Sequence, residues 1–280
     1  MIPAPAPMSS SNPDPHAFHA FEQTGWERAA EFYGDAFGAL TSQTAGPMLD
    51  AVGASTGTRL LDVACGPGFI AGAAADRGAI VTGLDFATAM IAQARRRLPA
   101  LTFREGDAEA LPFDTGSFDA VVMNFGLLHL ARPDAALAEA HRVLRPGGRY
   151  AFTVWSEQAV AFRLALGAIE EHGRVNVPLP EGPAFFRFSD AAETGRSLAS
   201  IGFTGVDVRE VPIVWRPPSA DAVFEALSRG GVRTAAVLRG QTPEALAAIR
   251  DAVRLGIEEH RHNGSLSVPM PAVLASAMRL

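Results

Sequence analysis

The sequence predicts a doubly wound α/β fold, a parallel sheet covered by helices on both faces. Three observations carry this. Short apolar runs alternate with helical stretches from residue 59 to residue 155. The runs tend to end in an acid or an amide, at Asp85, Asp107 and Asn124. The first run passes through a Gly-x-Gly turn into a helix of small residues.

That first run is Arg59 to Val63, short and mostly apolar as a buried parallel strand should be. It leads into Asp62-Val63-Ala64-Cys65-Gly66-Pro67-Gly68, and Ile70 to Ala75 follow as helix. Gly66 and Gly68 let the backbone pass close to a ligand where a side chain would collide. The amides that open the helix face a negative group. A nucleotide-type ligand is therefore expected. Gly66-x-Gly68-x-x-Ala71 also fits the dinucleotide fingerprint, a weak signal by itself. Asp62, four residues ahead of the first glycine, argues against that reading, because it would repel a pyrophosphate and suits a cationic amino group.

The remaining elements follow in order. Ala79 to Asp85 is a second strand and Phe86 to Leu98 a helix; Leu101 to Asp107 and Phe118 to Asn124 are the third and fourth strands. A helix from Asp134 to Leu144 is stopped by Pro146-Gly147-Gly148, and Arg149 to Trp155 is the fifth strand. Beyond it the alternation loosens. Helices are expected over 158–173 and 191–201, a strand over 206–215, two or three helices over 219–262 and a last strand over 268–278. Thr242-Pro243-Glu244 is a clear helix start, and Gly230-Gly231 a break. Ahead of the sheet, Phe18, Phe21, Trp26, Phe32, Tyr33 and Phe37 recur at helical spacing.

Composition narrows the function. With 280 residues, 48% of them hydrophobic, the chain can bury a substantial core. The net charge is −6 and no basic run exceeds Arg95-Arg96-Arg97, which disfavours a nucleic-acid substrate. A single cysteine, Cys65, excludes a disulfide framework or a Cys-rich zinc site. His260 and His262, two apart on a helix, would point to different faces, so no metal is expected. No apolar stretch reaches the ~20 residues that span a bilayer. The first residues are rich in Pro and Ser and lack a signal-peptide pattern, so a flexible tail over 1–17 and a cytoplasmic protein are expected.

Five ordered segments resemble the class I S-adenosylmethionine (SAM) methyltransferases of the ubiquinone- and menaquinone-biosynthesis type. They are Asp62 to Gly68, with Ala64 at the first glycine of the family pattern; Leu84 to Arg95, with Asp85 and Met90; Gly106 to Phe113; Met123 to Leu130; and Leu144 to Arg149. The resemblance implies a seven-stranded Rossmann-like methyltransferase sheet with an N-terminal helical lid and a C-terminal helical insertion. It implies one domain over 18–280: a lid (18–55), a cofactor-binding core (56–155), substrate-side insertions (156–202 and 217–263) and final strands within 203–216 and 265–280. SAM is the implied cofactor and a small molecule the implied methyl acceptor, with no membrane partner.

Implied cofactor contacts are Asp62, Ala64, Gly66 and Gly68 at the turn, and Asp85 on the ribose hydroxyls. Phe86 and Met90 would lie against the adenine, and Asp107 and the Ala108 amide on its edge. Asn124 and Phe125 complete the set, while Tyr33 of the lid would reach the methionine carboxylate. His129, after the fourth strand, is placed to take a proton from the acceptor. Trp26, Trp155, Phe162, Phe185 and Phe186 are expected to wall the acceptor pocket, with Arg187 and His172 orienting the acceptor. An NAD(P)-dependent oxidoreductase and a non-catalytic SAM-binding regulator are the alternatives. The segment at Asp107 speaks against the first.

Overall fold

The computed structural model describes residues 14–280. The tail expected over 1–17 lies outside them except at its end, where α1 (Pro15–Tyr33) has already begun. Asp14 caps it, accepting from the amides of His16 and Ala17, and Pro15 stands where its missing N–H costs nothing. A π-helical turn (Gly34–Gly38) continues it into α2 (Ala39–Thr41), a 3-10 turn (Ser42–Thr44) and α3 (Ala45–Ala51).

The core then alternates as its pattern requires: β1 (Arg59–Val63), α4 (Phe69–Asp76), β2 (Ile80–Asp85), α5 (Thr88–Arg97), β3 (Thr102–Glu105) and β4 (Phe118–Asn124). After a 3-10 turn (Leu127–His129) come α6 (Pro133–Val143) and β5 (Leu144–Trp155). Then follow α7 (Val160–His172), α8 (Ala191–Ile201), β6 (Phe203–Val211), β7 (Val214–Trp215), α9 (Ala220–Arg229), α10 (Arg233–Arg239) and α11 (Pro243–Glu258). A short hairpin of β8 (Arg261–His262) and β9 (Ser265–Leu266) precedes β10 (Val268–Pro269) and β11 (Ala272–Arg279). Among the described residues no helix is long and apolar enough to cross a membrane.

Seven strands form the main sheet in the order β3-β2-β1-β4-β5-β11-β6. β1 pairs parallel with both β2 and β4, and β11 runs antiparallel between β5 and β6. The chain leaves β1 toward β2 and β3 on one side and returns to β4 and β5 on the other. The crevice at the carboxyl ends of β1 and β4 is thus the topological switch point where such sheets bind ligands.

Several expected boundaries move: the helices expected through residue 262 end at Glu258, with His262 in β8 and not on a helix, and others shift for local reasons. The strand expected over 206–215 starts earlier, at Phe203, because Gly205 (φ +59°) is absorbed in a bulge against β11. It ends at Val211, since Pro212 cannot donate to the ladder, and Val214–Trp215 pairs with β10 outside the main sheet. Pro271 divides the last expected strand in the same way. Pro146-Gly147-Gly148 does not stop α6; it lies within the irregular start of β5, where Gly147 takes φ +76°.

Helix α1 is fastened over α5 by polar side chains. No side chain of its own segment caps α5, and Glu27 of α1 fills that role, accepting from the amides of Thr88 at 2.5 Å and Ala89 at 3.0 Å. A carboxylate at a helix N-terminus satisfies orphan donors and opposes the helix dipole. Gln23 donates to the Phe86 carbonyl at 3.1 Å, and Gln93 of α5 donates back to Ala30 at 2.6 Å. Glu27→Ala should cost about 0.5–2 kcal/mol, the usual value of a lost cap. Urea denaturation measures the loss; hydrogen exchange should quicken in residues 15–33 and stay unchanged in β1, β4 and β5.

Candidate functional site

The carboxyl ends of β1, β2 and β4 open into a cleft of about 780 Å³ covered by α1. Ala64 and Phe125, the residues that follow β1 and β4, both take φ +53°, a left-handed conformation that costs a non-glycine residue about 1–2 kcal/mol. The two ends approach so closely that a Cβ on Gly126 would sit 2.6 Å from that of Ala64. Gly66 (φ +51°) has only Met90 Sδ, at 4.0 Å, near its missing Cβ, so its bare face belongs to the cleft.

The cleft brings together Tyr33, Asp62, Ala64, Gly66, Asp85, Phe86, Met90, Asp107, Ala108, Asn124, Phe125 and His129, as expected from the sequence. Gly68 is the exception. It starts α4 at φ +81°, and its missing Cβ makes room for Leu98 and Phe103, each 3.2 Å away, behind the turn. It does not line the cleft. Asn124 reaches the cleft, but its side chain is engaged within the protein: Nδ2 donates to the Thr41 carbonyl, and Oδ1 accepts from Thr44 and from Thr153 of β5.

A second cavity of about 510 Å³ shares Trp26, Tyr33, Thr41, Phe125 and His129 with the first and extends to Trp155, Phe162, Phe185 and residues 230–234. Phe125 stacks on Trp155 with ring centres 4.1 Å apart. Phe186 does not reach this cavity and lines a third, beside α7. Arg187 faces none of them, because Asp134 (2.7 Å) and Glu193 (3.1 Å) claim its guanidinium. His172 sits at the end of α7, where its nearest acid is Glu171.

Two buried carboxylates dominate the electrostatics. Asp85 is 6% exposed; its oxygens accept from the amides of Gly66 at 2.8 Å and Ala87 at 2.9 Å. Burial pushes it up to about 6 against those amides, with the Glu27 charge adding to the rise. Asp62 is 1% exposed, and neither of its oxygens has a hydrogen-bond partner among the described residues. Burial pushes it up to about 8, assisted by the Asp85 charge; the Ala71 amide opposes the rise from nearby without reaching hydrogen-bond geometry. A buried, unpartnered carboxylate is costly, and here it lies on a cleft wall.

His129 is held by two residues that the sequence reading missed. Its Nδ1 lies 3.0 Å from Oε2 of Glu22, a fully buried acid on α1. Oε1 of the same carboxylate accepts from Arg233 Nε at 3.0 Å. Arg233 also donates to the carbonyls of Pro183 and Leu128 and lies over the Phe18 ring at 4.5 Å. The trace in the sequence was an acid one turn from Phe18, on the apolar side of α1; Arg233 left none. Trp26 meets the imidazole edge-on at 4.8 Å. Elsewhere His19, Asp107 and Glu109 bring possible metal ligands within 4.8 Å of one another, but both Glu109 oxygens are taken by Arg132.

The sign of the pH dependence follows from Asp62 and Asp85. Both bind their protons more tightly in the folded chain, so their contribution to stability is fullest below the unfolded value near 4 and is lost as pH rises through about 6 and about 8. Urea titrations of the ligand-free protein should show stability falling between pH 5 and 8, by at most about 1.4 kcal/mol per pH unit for each group. Asp62→Asn should flatten that slope.

Comparison with known proteins agrees with this arrangement. Residues 61–152, from β1 through most of β5, match the methyltransferase domain family. Demethylmenaquinone methyltransferase of Beutenbergia cavernae is 50% identical over 101 residues, covering 36% of this chain and 42% of the relative. The chain therefore spans under half the length of that relative. Malonyl-[acyl-carrier protein] O-methyltransferase of Salmonella typhimurium is 33% identical over 194 residues, 63% of this chain and 77% of the relative. Among solved structures, a phosphoethanolamine N-methyltransferase of Haemonchus contortus in complex with SAM superimposes with a TM-score of 0.58 at 18% identity, over 94% of this chain and 60% of that one. With its strand order, its glycine turn and a relative matched over most of its length, the chain belongs to the SAM-dependent methyltransferase family.

Proposed function

We propose that the chain transfers a methyl group from SAM to a small-molecule nucleophile, in the cytoplasm. The observation that carries this is the Asp62 carboxylate, buried without a partner on a cleft wall beside a bare glycine turn. It fits a ligand that brings its own N–H donors and positive charge, as the ammonium of SAM does, and it would repel a pyrophosphate. In this reading Asp62 holds that ammonium, and Asp85, with acceptor capacity beyond its two amides, takes the ribose hydroxyls. Asp107 and the Ala108 amide meet the adenine edge, Phe86 and Met90 its faces, and Tyr33 the carboxylate.

Bound SAM supplies a methyl group already activated on a sulfonium. The protein's task is then to position the acceptor and exclude water. The second cavity suits both, because its aromatic wall meets the cleft at Trp26, Tyr33, Phe125 and His129. Trp155, Phe162 and Phe185 would hold the apolar body of the acceptor, and His129 would take the proton from its nucleophilic atom. The relatives named as a ubiquinone/menaquinone biosynthesis C-methyltransferase and as a malonyl-[acyl-carrier protein] O-methyltransferase support a carbon or oxygen atom as the acceptor. The net charge of −6 supports a small molecule over a nucleic acid.

Two measurements test the reading. Asp85→Asn should weaken SAM about 10–100-fold, the equivalent of losing about 1.5–3 kcal/mol from hydrogen bonds to a charged group. Calorimetry reads it, and NAD or NADP should give no heat; unchanged SAM affinity would overturn the placement. With demethylmenaquinone as the first acceptor tried, or the acceptor a thiol-coupled screen identifies, His129→Asn should lower the maximal rate ~10²–10⁴-fold with SAM affinity nearly unchanged. A variant within about threefold of wild type would show that the proton needs no such base.

A further inference from the structure

We propose that Glu22 is a positioning residue that fixes the tautomer of His129, and that Arg233 is what makes Glu22 able to do so. The inference rests on the reading of His129 as proton acceptor. A neutral imidazole carries one proton, and only its bare nitrogen can accept another. Glu22 is fully buried and each of its oxygens faces one donor, Arg233 Nε on Oε1 and His129 Nδ1 on Oε2, both at 3.0 Å. An ionised carboxylate only accepts, so Nδ1 carries the proton and Nε2, the far nitrogen, is bare. His129 lines both cavities where they join, so its accepting nitrogen serves their junction.

The proton balance is then complete. The acceptor's proton leaves for Nε2, whose lone pair forms the new N–H bond. The electron pair left on the acceptor forms the bond to the methyl carbon, and the former methyl–sulfur pair stays on sulfur. The ring so formed keeps its Nδ1–H donated to Glu22 Oε2, so the contact with α1 is unbroken by the transfer. Arg233 is fixed independently by the carbonyls of Pro183 and Leu128, so Oε1 cannot turn away. Glu22 lies on α1, His129 after β4 and Arg233 on α10. The accepting tautomer is therefore held in preference to the other only when α1 and α10 are both seated on the core.

Arg233 makes the proposal testable by more than loss of activity. In Glu22→Gln, Arg233 Nε still needs an acceptor and draws the amide oxygen. The amide NH₂ is left facing His129, so Nδ1 must accept and the proton moves to Nε2. In the double variant Glu22→Gln/Arg233→Met nothing holds the oxygen, so the amide can turn it to His129 and Nδ1–H returns. Long-range ¹⁵N–¹H spectra of ring-labelled histidine in the full chain, assigned with His129→Asn, read the tautomer directly without an acceptor. The expected sequence is Nδ1–H in the wild type, Nε2–H in Glu22→Gln and Nδ1–H again in the double variant. Nε2–H in the wild type, or no inversion in a folded Glu22→Gln, would overturn the proposal. If Glu22→Gln does not fold, the wild-type spectrum decides, Nδ1–H supporting the proposal and Nε2–H overturning it. A His129→Asn enzyme of undiminished rate would refute the base and leave the tautomer result standing, so the two failures are distinguishable.

Discussion

One buried carboxylate ties the site together. Asp85 closes β2, and its two oxygens reach to either side, one to the amide of Gly66 in the turn after β1 and one to Ala87 at the start of α5. The turn, the second strand and the helix are thereby set relative to one another within the cleft. Glu27 then extends the chain of amide contacts, because the helix start that Asp85 positions is the one that α1 caps. Lid, turn and sheet are thus registered through a few short bonds from acids to backbone, and a shift in any of them is felt by the others.

These acids also oppose the fold they organise. Burial raises the cost of ionising both Asp62 and Asp85; the Asp85 charge adds to it at Asp62, and Glu27 adds to it at Asp85. A sequence selected for stability alone would place an apolar side chain at Asp62, whose oxygens have no hydrogen-bond partner among the described residues. The strained backbone at Ala64 and Phe125 works in the same direction. Both features stand on the walls of the cleft, where a bound cation would favour the ionised carboxylate that burial alone disfavours.

The sheet was legible because buried parallel strands leave continuous apolar runs, and β1, β2 and β4 read almost residue for residue. The ligand end was legible because its acids and glycines fall at strand ends in fixed order. What could not be read depends on distant neighbours. Gly68 has the same identity and spacing as a cradle glycine, yet Leu98 and Phe103 decide that it packs. Arg187 sits beside the right aromatics but finds Asp134 and Glu193 first. Glu22 and Arg233 are 211 positions apart and meet only after the insertion has folded back over α1.

The π-helical turn at Gly34–Gly38 has a consequence of its own. A π turn holds one more residue per loop of helix than its flanks, and removing a residue from it would rotate α1 by about 100° against everything downstream. Glu22, Trp26 and Glu27 all lie on the upstream side, and their partners are on the core. Gly34 has open space beside it, whereas Gly38 is pressed on Phe69, where a Cβ would approach to 2.5 Å. Within this segment some letters are free to change, but their number is not. The spacing works as a phase setting, and relatives that keep this arrangement of acid and imidazole should vary here by substitution and not by insertion or deletion.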